Sequence, residues 1–107
     1  MEEIQKEITE LLGKIVFFEP EFKKEILQKM PQLEEARLYE LKRILLEVQD
    51  WQTNFVKKKI AADPNFYDMI MEAKHKADRA IIEVYKQKFE DEDHKKMEII
   101  LNKIRSL

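Results

Sequence analysis

An all-α fold is predicted by three features of the sequence. Apolar residues recur at steps of three and four, turn-forming residues are scarce, and proline or acidic residues stand where helices would begin. One Gly and three Pro in 107 residues could hardly supply the turns of an all-β domain. The expected architecture is a small, mostly antiparallel bundle of four or five helices around a long central helix. Residues 1–107 are read as a single helical domain.

The first segment sets Ile4, Ile8, Leu11, Ile15 and Phe18 on one face, which predicts one continuous helix running past Gly13. A glycine inside a helix costs about 1 kcal/mol relative to alanine, so Gly13 marks either a close helix contact or an early end. Phe17 and Phe18 are adjacent and cannot both face one partner from a helix. One is expected to pack inside, while the other caps the bundle or enters an oligomer contact.

Pro20, Pro31 and Pro64 can each occupy the first position of a helix, where a missing N–H costs nothing. The chain is therefore divided near residues 19, 30 and 63. Residues 20 to 30 form a short amphipathic element carrying Phe22, Ile26, Leu27 and Met30. Residues 31 to about 61 read as one helix about 45 Å long. Leu33, Leu38, Leu41, Ile44, Leu45, Val48, Trp51, Phe55 and Val56 form its apolar stripe, broad enough to touch two neighbours. Arg37 falls within that stripe and is expected to cover side chains with its stem or to pair across a helix contact.

At the next boundary Asp63 is a good N-cap and Pro64 follows it. Residues 64 to 107 would make a rod about 66 Å long, so a break is expected within Glu90-Asp91-Glu92-Asp93. Acidic residues complement the start of a helix and oppose its end. The last helix then presents Met97, Ile100, Leu101, Ile104 and Leu107 on one face.

With 44% hydrophobic and 39% charged residues, the chain can fold around a core beneath a heavily charged surface. Twenty basic residues against 22 acidic ones give a net charge of -2, which argues against a dedicated polyanion binder. Cysteine is absent, so disulfides, thiolate catalysis and cysteine metal sites are excluded together. The longest apolar run, Ile15 to Phe18, is far short of the roughly 20 residues that span a bilayer. The Met-Glu-Glu start also lacks a basic signal region. These features point to a cytoplasmic protein with no membrane contact.

Catalytic chemistry has little to build on. Ser106, Thr9, Thr53, His75 and His94 show no local nucleophile–base arrangement, and one glycine cannot form a phosphate loop. Glu72 and His75 have the Glu-x-x-His spacing of di-iron bundles, and Asp91 and His94 repeat it with another acid. On a continuous helix burying Phe66, Ile70, Ala73, Ala77, Ala80, Ile81 and Val84, both Glu72 and His75 point away from the core. They are read as a solvated pair. No enzyme activity, cofactor or metal is expected.

That helix carries a second stripe of Tyr67, Met71, Ile82, Tyr85 and Phe89. It could face the first or last helix of the same chain, or it could bind a partner. Met and Tyr are favoured at partner surfaces, so the stripe is the candidate site of a non-catalytic interaction or self-assembly module. The expected partner is a second copy, giving a homodimer, or another helical protein. The alternative is a small regulatory protein touching nucleic acid through Lys57, Lys58 and Lys59, which follow Trp51 and Phe55. Three consecutive lysines spread about 200° around a helix, so nucleic acid is the less favoured partner.

Overall fold

The periodicity of the chain translates into helices wherever an apolar face finds a neighbour. The computed structural model describes residues 2–107, with Asp78 described by its backbone alone. Among the described residues there are six α-helices and no strand. They are α1 (Glu2–Lys14), α2 (Pro20–Lys29), α3 (Glu35–Ala62), α4 (Asn65–Lys74), α5 (Asp78–Gln87) and α6 (Asp91–Arg105). A 3₁₀ turn, Met30–Gln32, joins α2 to α3.

The long central helix is α3, against which α1, α4 and α6 pack. At 28 residues it measures about 42 Å, close to the 43 Å long dimension of the molecule. Its buried residues Leu38, Leu41, Ile44, Leu45, Val48 and Phe55 all belong to the predicted stripe. Trp51 and Val56 pack against the core while half-buried. Arg37 is exposed and takes no part in that packing, contrary to its place in the stripe. It stands in the first turn of α3.

The first helix ends earlier than its apolar ladder suggests. It stops at Lys14, and residues 15 to 19 lie outside any helix. Gly13 makes no close contact: a Cβ built there meets nothing within 4 Å. Leaving the helix lets neighbouring side chains diverge, so Phe17 and Phe18 are both buried, at 2% and 1% exposure. The expectation that only one of them packs inside is thereby corrected.

Pro20 occupies the first turn of α2 as predicted, whereas Pro31 lies in the 3₁₀ turn and does not open α3. The chain first runs extended through Leu33 and Glu34, and Leu33 is buried. Leu33 and Leu38 then hold the staple positions before and after the helix start, which fixes the entry angle.

Asp63 performs the predicted capping, its Oδ1 accepting the Asn65 N–H at 3.1 Å, with Pro64 already helical in backbone angles. The predicted break near residue 90 is also present. Glu90 and Asp93 form a capping box at the head of α6, with Asp91, Glu92 and Asp93 in its first turn. At the other end, Lys29 Nζ donates to the carbonyls of Ile104 (3.3 Å) and Arg105 (2.7 Å), placing a cation on the negative end of the helix dipole.

A second break, at residues 75–77, was not predicted, and it raises the helix number above four or five. It folds α5 back on α4, so that Phe66 near the start of α4 meets Tyr85 near the end of α5, ring centroids 5.9 Å apart. Three residues outside the helix reset its phase. Phe66, Ile70 and Ala73 are buried as expected, but α5 buries Ile82 and Tyr85 and leaves Ala77 exposed. No described helix is long and apolar enough to cross a membrane.

Candidate interaction surface

The predicted partner stripe divides once the helix carrying it is folded in two. Tyr67 and Met71, four residues apart on α4, are exposed at 51% and 37%. Ile82 and Tyr85 are core residues at 4% and 6%, so they cannot present a surface. Phe89 is half-buried in an aromatic cluster. Of the five residues, only Tyr67 and Met71 are available to a partner in this conformation.

The cluster is centred on Phe17. Its ring meets Trp51 at 4.8 Å, Phe89 at 5.1 Å, Phe55 at 5.4 Å and Tyr85 at 5.6 Å, each edge to face. This geometry aligns the positive ring edge with a negative face and adds to the burial of each ring. Burial also pushes the Tyr85 phenol above its ordinary pKa, because the ionised form loses its hydration.

Sequence reasoning left out a second set of exposed apolar side chains. Tyr39 and Leu46 on α3 are 54% and 43% exposed, and Ile99 on α6 is 55% exposed. Tyr39 and Leu46 are seven residues apart, hence on one ridge of α3, roughly opposite the buried stripe. The signal was legible: both are large apolar residues that fit no core position of a helix whose stripe was already assigned.

Charge pairs flank the ridge. Lys42 donates to Glu7 of α1 at 2.7 Å, and Arg43 bonds both Glu40 and Glu47 along α3. The hydrogen bond from Arg43 lowers the pKa of Glu40, while the bond to Glu7 raises that of Lys42. The Arg43 pairs are solvent-exposed and contribute little to stability, and the Lys42–Glu7 pair is partly buried; together they leave the ridge bordered by neutralised charge.

The three lysines do not form one surface. Lys57 and Lys58 are exposed, whereas Lys59 is half-buried, with its Nζ 3.4 Å from Glu90 and 5.5 Å from the centroid of Phe55. Lys58 and Lys59 share a groove with Glu90, Glu92 and Asp93, so carboxylates oppose the cations there. Trp51 is likewise occupied, with Lys96 Nζ 5.0 Å from its ring centroid. An aromatic platform free to stack a base is not present at this groove.

Glu72 and His75 are both exposed, and Glu72 lies 3.7 Å from Lys76. Among the described residues no group of three or more His, Cys, Asp or Glu side chains is placed to hold a metal ion.

The fold defines a small all-α helical protein. No protein-family model, curated protein or solved structure matches the chain.

Proposed function

We propose that this protein is a non-catalytic helical interaction module of the cytoplasm that self-associates through the outer ridge of α3. The observation carrying this reading is the exposed pair Tyr39 and Leu46, spaced so that both project from one helix edge. In a two-fold antiparallel contact centred between them, Tyr39 of each copy meets Leu46 of the other. Arg43 lies between the two and is already neutralised by Glu40 and Glu47, so the contact brings no unpaired charge together.

Stable interfaces bury about 800 Å² per partner, more than two side chains supply, so the association expected is weak and concentration-dependent. The basic-patch alternative draws no comparable support, given the acids opposite Lys58 and Lys59.

Light-scattering mass on a size-exclusion column, over a range of protein concentrations, tests the proposal. The mass should rise from 13.0 kDa toward twice that value, and Leu46→Asp should hold it at the monomer without loss of helical content. A constant monomer mass for the wild type would overturn self-association. A dimer indifferent to Leu46→Asp would move it to Tyr67 and Met71.

A further inference from the structure

The turn between α4 and α5 is made by residues that favour a helix. Residues 75–77 are His-Lys-Ala, with no Gly, Pro, Ser, Thr, Asp or Asn among them. Elsewhere the turns are fixed by local chemistry: Asp63 and Pro64 stand before α4, and the Glu90–Asp93 capping box follows α5. Ala77, by contrast, is the N-cap of α5 and offers no side-chain acceptor to the N–H groups of its first turn.

Helical order persists almost to the turn itself. His75 keeps right-handed helical angles (φ −81°, ψ −9°), and Lys76 lies 3.7 Å from Glu72 one turn back. The Ala77 N–H still reaches the Ala73 carbonyl at 3.3 Å. Ala77 then runs extended, at φ −171° and ψ 160°. With residues 75–77 in helical angles, residues 65–87 form one helix about 35 Å long. The first N–H groups of α5 then bond to carbonyls of the preceding turn.

In a single chain this straightening strips Ile82 and Tyr85 from the core, so the folded-back form prevails. In a pair of chains each copy recovers those contacts from the other. Phe66 and Tyr85 stand about equally far on either side of residues 75–77, and α4 packs antiparallel to α5. Two straightened helices related by a two-fold axis at the hinge recreate that packing, with α4 of one copy against α5 of the other. The pairs Arg79–Glu21 and Lys86–Glu19, and the contact of Tyr85 with Phe17, re-form between copies.

We propose that two copies of this chain exchange α5 and α6 by straightening residues 75–77, giving a swapped dimer. Its formation requires these helices to leave their own core, so it exchanges slowly and survives dilution. That separates it from the weak contact of the α3 ridge, on which it does not rest.

The test uses the Leu46→Asp chain, in which the ridge contact is removed. Concentrated protein equilibrated in urea near its unfolding midpoint, then returned to buffer, should give a fraction of twice 13.0 kDa that persists on dilution. Glu21→Cys and Arg79→Cys, added to a chain without cysteines of its own, are joined by a short bismaleimide. On a denaturing gel the link should join two chains in the dimer fraction and stay within one chain in the monomer fraction. Ala77→Asp supplies α5 with a cap in the folded-back form at both hinges, and should lower the association constant at least about tenfold. Three results would overturn the proposal: no dimer that survives dilution, a dimer whose links stay within each chain, or an association constant unchanged by Ala77→Asp.

Discussion

Gln52 holds Val16 in place. From the third turn before the end of α3, its Oε1 accepts the N–H groups of Val16 at 2.6 Å and Phe17 at 3.1 Å. Its Nε2 donates to the Lys14 carbonyl at 3.1 Å. One side chain thus replaces hydrogen bonds that the backbone gives up on leaving α1. By fixing this corner it aims Phe17 at the aromatic cluster.

Gln52→Leu should accordingly destabilise the protein by about 2–3 kcal/mol, because partly buried backbone donors lose their acceptor. Gln52→Glu should cost less: a carboxylate still accepts from Val16 and Phe17 but is repelled by the Lys14 carbonyl. Urea denaturation gives both values. Trp51 fluorescence should shift to the red in the leucine variant, since Phe17 shields the indole at 4.8 Å.

Gly13→Ala should stabilise the fold by about 0.5–1 kcal/mol, as alanine loses less backbone freedom in a helix. Gly13 lies inside α1, its φ is not positive, and its Cβ position is open. Thermal unfolding followed by circular dichroism should show a midpoint raised by a few degrees. A lower midpoint would mean that the helix end needs glycine after all.

Tyr85 should make stability fall in alkali. Its phenol is raised above the ordinary 10.0 in the folded protein, so the unfolded chain ionises first. Below pH 10 this group contributes a constant term. As pH rises above 10, stability drops by up to about 1.4 kcal/mol per pH unit until the folded phenol ionises too. Tyr85→Phe should flatten that decline relative to wild type in urea titrations run from about pH 9 to about pH 11.

Much of this protein was legible in one dimension. The stripe of α3, the Asp63 cap, Pro20 at the head of α2 and the acidic start of α6 are local features, each encoded by residues within a few positions of one another. Local sequence determined where most helices begin and which face of α3 is buried, because a 3.6-residue period needs only near neighbours to be read. The tertiary structure decided where α1 ends and where the last half of the chain bends. At Ile15 the ladder continues in sequence, yet Gln52, more than thirty residues away, offers the backbone a different set of bonds. At residues 75–77 no Gly or Pro announces a break. The turn exists because it brings Tyr85 against Phe66 and Phe17, and that changes which residues remain on the surface. Periodicity reports a helix's faces only while its phase is continuous, so the candidate stripe lost Ile82 and Tyr85 to the core when packing interrupted it.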